Sequence, residues 1–116
     1  MLRKLCVIGT AGTAAILAAV AGVPSVRSAE MMSPSAQRGE LIVRTNCSRC
    51  HATAKVGESP LKIAPAFRTL HERYPVEDLE EPLGEGIITG HPTMPEFRFD
   101  SGQVGDIIAY LKWLER

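Results

Sequence analysis

The five residues from Cys47 to His51, "CSRCH", limit most strongly what this chain can fold into. Two thiols stand three positions apart, and an imidazole follows the second thiol directly. Such a group can belong to a tetrahedral zinc site, to a dithiol that cycles with a disulfide, or to a covalent haem attachment site. Because each of these needs a different fold around it, the rest of the 116-residue chain decides among them.

The N-terminal segment has the pattern of a secretory signal peptide. Two basic residues, at positions 3 and 4, precede an apolar run over residues 5–23, and a proline and small residues follow it. We expect residues 1–28 to be cleaved and residues 29–116 to form one mature domain in the periplasm. An uncleaved membrane anchor is the alternative, since about 20 apolar residues can span a bilayer, but glycine and threonine dilute this run.

Charge and size narrow the function classes of the mature domain. Residues 29–116 carry 10 basic and 13 acidic residues, a net charge of −3. A nucleic-acid or membrane-surface role therefore loses its main support. Seven of the ten basic residues precede Tyr74, whereas five acidic residues lie between positions 77 and 85, which predicts a dipolar domain. A domain of about 88 residues also buries only a modest core, and such chains often need a metal, a disulfide or a cofactor to complete it.

The spacing of apolar residues predicts an all-α domain, and no alternating run bounded by hairpin turns indicates a strand. Ser33 is the expected N-cap of the first helix, with Pro34 at its first position. Asp100 and Gln103 have the spacing of a capping box at the start of the fourth. Four helices are predicted in all, over residues 34–45, 66–74 and 76–89 and from residue 100 onwards.

The third and fourth helices carry further expectations. Pro82 would collide with the carbonyl four residues earlier, so the third helix is expected to kink or to divide. Gly90 is its expected C-terminal cap. The fourth helix presents one apolar face, made of Val104, Ile107, Ile108, Leu111 and Leu114.

Two interpretations of the cysteine motif lack their usual context. A structural zinc ion needs four ligands, so His71 or His91 would have to supply the fourth, and three ligands within five residues without a second cysteine pair are unusual. A redox dithiol is expected at a helix start that follows a strand. Here the preceding segment has the pattern of a helix.

Haem attachment fits the motif best. Cys-x-x-Cys-His is the signature of c-type haem attachment. The thiols of Cys47 and Cys50 can add to the two vinyl groups of the macrocycle, and His51 then lies beneath the iron. The export pattern agrees, because bacteria attach haem covalently outside the cytoplasm. Both cysteines of residues 29–116 are used by the motif, while Cys6 lies in the signal segment.

Four stretches, in this order, make the chain from Ala36 to its end resemble a small class I cytochrome c of bacterial type. They are "CSRCH", "APAF", "TGHPTMPEF" and "GDIIAYLKWL". The resemblance implies an all-α small cytochrome c fold in which about four helices wrap around one haem. It also implies that the cofactor is haem c, attached through Cys47 and Cys50.

By the same resemblance, His51 and Met94 are the two axial ligands of the iron. Met94 is also the only methionine of the mature chain away from its N-terminal end, and Pro92 and Pro95 stiffen its loop. A thioether ligand raises the reduction potential. His91 is the competing ligand and is interpreted as a loop residue near the haem.

The resemblance implies two further contacts. The carbonyl of Pro65 accepts the second ring N–H of the ligand His51, which fixes the ring and raises its basicity. The first and last helices cross where Gly39 and Val43 meet residues 107 and 110.

These observations predict a soluble periplasmic electron-transfer protein rather than an enzyme. We expect it to carry one electron at a time between larger redox proteins, such as a dehydrogenase, an oxidase or a reductase. No nucleic acid and no membrane span of the mature protein are expected, and the chain is a monomer or a subunit of a complex. The alternatives are a haem c subunit of a multi-subunit dehydrogenase or oxidase, and a haem-based enzyme or gas sensor in which Met94 leaves the iron.

Overall fold

A computed structural model of the chain describes residues 31–86 and 93–116. These residues form helices and no strand, which confirms the predicted all-α class. In chain order the elements are helix α1 (Pro34–Cys47), two 3-10 helices (Phe67–Glu72 and Val76–Leu79), helix α2 (Glu80–Glu85) and helix α3 (Ser101–Leu114).

The two long helices begin where the capping patterns predict. The Ser33 hydroxyl accepts a hydrogen bond from the backbone N–H of Ala36 at 3.2 Å, and α1 then continues to Cys47, two residues beyond its predicted end. At α3 the Asp100 carboxylate accepts from the Gln103 backbone N–H at 2.9 Å, and the Gln103 side chain accepts from the Asp100 N–H at 3.2 Å. Side chains of the chain itself therefore cap both helix N-termini.

The middle of the chain departs from its predicted form. The second predicted helix is a 3-10 helix over Phe67–Glu72, shorter at both ends than residues 66–74. The third is divided, as Pro82 suggested, but the division precedes that proline. Pro82 lies in the first turn of α2, where its missing N–H has no helical partner to lose.

Helix α2 ends earlier than the predicted cap at Gly90. Gly86 follows its last residue with a φ of 108°, a left-handed conformation that favours glycine. The Gly86 N–H donates to the Pro82 carbonyl at 3.0 Å. Gly90 itself lies outside the described residues, as do His91 and Pro92.

The packing of α1 against α3 forms the core. The predicted apolar face of α3 is buried, together with Tyr110, against Ala36 and Val43 of α1. A β-carbon added to Gly39 would overlap the backbone carbonyl of Asp106 and lie 2.9 Å from the β-carbon of Tyr110. The predicted crossing at Gly39 is therefore present, and the absence of a side chain there lets the two backbones approach.

Polar contacts at the rim hold the same helix pair. Arg38 donates two hydrogen bonds of 2.7 Å to the Asp106 carboxylate, which also accepts from the Ser35 hydroxyl at 2.6 Å. These hydrogen bonds, first those from Arg38 and then that from Ser35, lower the pKa of Asp106. On the opposite side, Lys112 of α3 pairs with Glu77 of the second 3-10 helix. Exposed pairs of this kind orient elements more than they stabilise them.

Within residues 31–86 and 93–116, no helix has both the length and the hydropathy needed to cross a bilayer. The predicted signal peptide, residues 1–28, lies outside the part of the chain that the structure describes.

The helix crossing generates a stability prediction. Gly39→Ala should lower the free energy of unfolding of the haem-loaded protein by about 1–3 kcal/mol, because the added methyl must force α1 and α3 apart. Gly105→Ala on α3 is the matched control, since nothing lies within 4 Å of its β-carbon position. The control should be neutral or slightly stabilising. Urea denaturation followed by circular dichroism measures both, and equal stabilities would contradict the close approach.

Candidate functional site

A largely apolar cleft lies beside the α1–α3 pair. It consists of two adjoining cavities of about 190 and 160 Å³. Five residues line both cavities, namely Cys47, His51, Pro65, Met94 and Phe97. The structure thus brings together four of the predicted site residues, and the fifth, Cys50, lines the first cavity.

The end of α1 positions the cysteine motif. Cys47 is the last residue of the helix, and its carbonyl accepts hydrogen bonds from the N–H groups of Cys50 at 3.1 Å and His51 at 3.0 Å. These two hydrogen bonds close a turn that holds Cys50 and His51 near the C-terminal end of α1. Both thiols are free and half-buried at the cleft.

A single acceptor fixes the His51 ring. Its Nδ1 lies 2.8 Å from the carbonyl oxygen of Pro65, which is the hydrogen bond that the resemblance predicted. Because a carbonyl can only accept, Nδ1 is the donor, and in the neutral imidazole the lone pair that a metal requires is then on Nε2. The Phe67 ring packs against the imidazole with centroids 4.8 Å apart.

The loop that follows His51 is held by hydrogen bonds to its own backbone. Ala52 donates its N–H to the Ser59 hydroxyl at 2.9 Å, and its carbonyl accepts from the Phe67 N–H at 2.9 Å. From α3, the Tyr110 hydroxyl donates to the Thr53 carbonyl at 2.6 Å. Sequence reasoning missed Ser59, Thr53 and this function of Tyr110, because a hydroxyl facing a distant backbone group has no spacing pattern.

The electrostatic state of Cys47 disfavours a redox dithiol. Burial raises the pKa of its thiol to about 11. Cysteines that exchange disulfides have a lowered pKa, since the thiolate is the attacking species. A thiol that stays protonated at neutral pH is poorly suited to that reaction.

A zinc site finds no support in the described residues. They contain no cluster of three or more histidine, cysteine or acidic side chains arranged to hold a metal ion. His71 is exposed on the first 3-10 helix and lines neither cavity. The other candidate for a fourth ligand, His91, lies outside the described residues.

Met94 lies at the cleft although its loop is only partly described. It is half-buried and lines both cavities, and Thr93 and Pro95 line the first. The other described methionines, Met31 and Met32, line neither.

The residues of the cleft fit a haem. Two thiols, one imidazole and one thioether share a cavity. In c-type cytochromes two thiols attach the haem, and an imidazole and a thioether ligate its iron. Each of the two cavities is far larger than the roughly 15 Å³ that one water molecule needs. Their apolar walls favour a large apolar ligand. The second cavity takes its apolar lining from every helical element, through Val43, Phe67, Leu70, Leu79, Leu83, Ile107 and Leu111.

Comparison with known families agrees with this chemistry. Residues 34–111 match the family model described as cytochrome c oxidase, cbb3-type, subunit III. The match begins at the first residue of α1, ends within α3 and includes all five predicted site residues. No curated protein and no solved structure gives a significant match.

The bond between Tyr110 and Thr53 generates a pH-dependent prediction. Tyr110→Phe should lower the free energy of unfolding at pH 7 by about 1–2 kcal/mol, because the buried Thr53 carbonyl loses its donor. Burial and the charge of Glu40 raise the pKa of Tyr110 to about 12, against about 10 in the unfolded chain. The contribution of the neutral phenol is therefore complete below pH 10 and lost as the pH rises towards 12.

Urea denaturation of the haem-loaded protein between pH 7 and 11.5 measures this effect. The stability difference between wild type and Tyr110→Phe should narrow above pH 10. Tyr74→Phe is the matched control, since the Tyr74 side chain is 37% exposed and its hydroxyl has no hydrogen bond within the described chain. A difference that stays constant to pH 11.5 would show that Tyr110 is not held neutral.

Proposed function

The chain belongs to the cbb3-type cytochrome c oxidase subunit III family of c-type cytochrome domains, and on this premise we propose that it is a soluble periplasmic carrier of single electrons. It is an electron-transfer protein with haem c attached through Cys47 and Cys50. The observation that carries the proposal is the cleft in which the motif, Met94 and apolar walls from every helical element meet.

The residues of the cleft would hold the iron from two sides. Haem c supplies an iron that alternates between the ferrous and ferric states and so carries one electron. The Pro65 carbonyl orients the His51 ring, so His51 and Met94 are the residues that would ligate the iron. With both ligands supplied by the protein, a substrate would have no site on the iron, which supports a carrier rather than an enzyme.

The apolar walls have their own function in this proposal. They exclude water from the group they surround, and a low dielectric disfavours the more highly charged ferric state. A thioether ligand acts in the same direction. Both features support a reduction potential higher than that of a solvent-exposed haem with two nitrogen ligands.

Delivery to the periplasm rests on the signal pattern of residues 1–28. Because bacteria attach haem c outside the cytoplasm, the attachment motif is consistent with a periplasmic location. Redox proteins larger than this chain are the proposed partners.

The family description favours one second candidate, a haem c subunit of a multi-subunit oxidase. Size-exclusion chromatography of the native protein from its own membrane and periplasmic fractions separates the two. A carrier elutes near the mass of the mature chain, whereas a subunit elutes with a large partner.

The attachment generates the first test. Haem should stay with the wild-type polypeptide through acid and organic extraction and a denaturing gel. The double variant Cys47→Ser/Cys50→Ser should lose it completely, because no thioether can form. Ser48→Ala, which removes a hydroxyl between the two cysteines, is the matched control and should retain haem. Haem extracted from the wild type would overturn the assignment.

The axial pair generates the second test. Met94→Ala should lower the reduction potential by a sizeable part of the roughly 0.8 V range that axial ligands span. It should also abolish the thioether-to-ferric-iron charge-transfer band and let carbon monoxide bind the ferrous protein rapidly. Met31→Ala, at a side chain 91% exposed, should change none of these.

An unchanged potential in Met94→Ala would contradict the ligand assignment. Rapid carbon monoxide binding by the wild type at neutral pH would instead indicate a labile Met94, and with it the gas sensor or enzyme.

A further inference from the structure

The first cavity opens beside apolar side chains that the fold leaves in solvent. Ile63 is 74% exposed and Leu61 39% exposed, and both line this cavity together with Cys50. The backbone ties this stretch to the motif, since the Leu61 N–H donates to the Cys50 carbonyl at 3.1 Å. Exposed apolar groups next to a functional cleft are typical of a contact surface.

Two basic residues lie beside these apolar side chains. Arg49 is exposed and lines the same cavity, and the exposed Lys62 lies between Leu61 and Ile63. Among the described residues that line the first cavity there is no carboxylate. Glu96, which is next to this lining in the chain, is paired with Arg98 at 3.1 Å.

The second cavity takes part of its lining from an acidic segment. Leu79 and Leu83 line the second cavity and come from the segment of the second 3-10 helix and α2. That segment carries the acidic residues Glu77, Asp78, Glu80, Glu81 and Glu85. Acidic residues are therefore neighbours in the chain of the second cavity's lining, whereas basic residues accompany that of the first.

We propose that Arg49, Leu61, Lys62 and Ile63, here called the cationic mouth, form the docking face for a redox protein with an acidic, partly apolar surface. The inference rests on the proposed electron-transfer function and adds the place of exchange and the chemistry of the partner. Complementary charge steers such partners and sets their orientation, and a small apolar contact suffices for a short-lived complex.

A protein fits this face better than an anionic membrane. Near a lipid surface each basic residue contributes only about 1 kcal/mol, so two cations bind weakly. The net charge of −3 over residues 29–116 opposes them further. A protein partner instead needs only a local match of charge and apolar area.

The first test uses the ferrous, haem-loaded protein and two oxidants of opposite charge, ferricyanide and tris(phenanthroline)cobalt(III). Each oxidant accepts one electron from the ferrous haem, giving ferrocyanide or the cobalt(II) complex, and no bond or proton is transferred. Stopped-flow absorbance gives the second-order rate constants between about 10 and 200 mM ionic strength, a range over which screening changes strongly.

Local and overall charge predict opposite salt effects. A net charge of −3 repels ferricyanide, so added salt would accelerate its reaction if overall charge governed the encounter. The cationic mouth attracts it, so the rate constant should fall about two- to tenfold as salt is added. A rate constant that rises with salt in the wild type overturns the proposal.

Charge reversal at the mouth sharpens the result. Arg49→Glu/Lys62→Glu should lower the ferricyanide rate constant at low ionic strength by about tenfold and raise that of the cobalt complex. Lys62→Glu alone should show part of the effect. It replaces the double variant if that variant incorporates haem poorly. Arg73→Glu, at an exposed residue that lines neither cavity, changes the charge by the same amount as Lys62→Glu and is the control for that single variant. An equal effect in the control overturns the proposal.

The apolar half of the face needs a protein probe. Ile63→Ser should lower the rate constant with an acidic blue-copper protein about threefold or more and leave that with ferricyanide unchanged. Equal rates with the blue-copper protein would remove the apolar contact from the proposal and overturn it in this form.

Reduction potentials of all variants separate this proposal from the function on which it rests. If the wild type shows no reversible one-electron couple, the proposed function fails. If the couple is reversible and the charge effects are absent, only the docking face fails. Charge reversal also stabilises ferric iron and so lowers the reduction potential of the haem. A lower potential would speed oxidation by ferricyanide, so a slower reaction cannot come from the change in potential.

Discussion

The close approach of α1 and α3 at Gly39 is the contact on which the rest of the structure depends. It sets the position of α1 against α3, and α1 ends at Cys47, the first residue of the haem attachment motif. The same packing buries Tyr110, whose hydroxyl reaches the Thr53 carbonyl just past the motif. One helix pair thus positions the chain on both sides of His51.

The other helical segments are short and form part of the wall of the cleft. The 3-10 helices and α2 contribute single apolar side chains to its wall rather than a long packed face. Phe67 shows how closely fold and site are joined, since its backbone binds Ala52 and its ring packs on His51. Small domains bury only a modest core, and a group bound in the cleft would add to it.

The sequence predicted the elements whose cause is local. Ser33, Asp100 and Gln103 cap their own helices, so α1 and α3 were found with correct starts. The second segment was predicted as a regular helix and is a shorter 3-10 helix, because apolar spacing cannot distinguish a 3-10 turn held by tertiary contacts from an α-helix. The third was predicted to kink or divide at Pro82, and it divides before that proline.

The sequence by itself determined the chemistry, because the attachment motif is contiguous and its thiols and imidazole need only a few residues of spacing to act together. Tertiary structure alone decided which residues hold the motif in place and which surface residues surround its cleft. Ser59 and Thr53 become supports only when the loop folds back against α3. The cleft likewise is lined by residues far apart in the chain, from Val43 to Leu111. Through-space contacts between distant segments have no local pattern, and folding is what creates them.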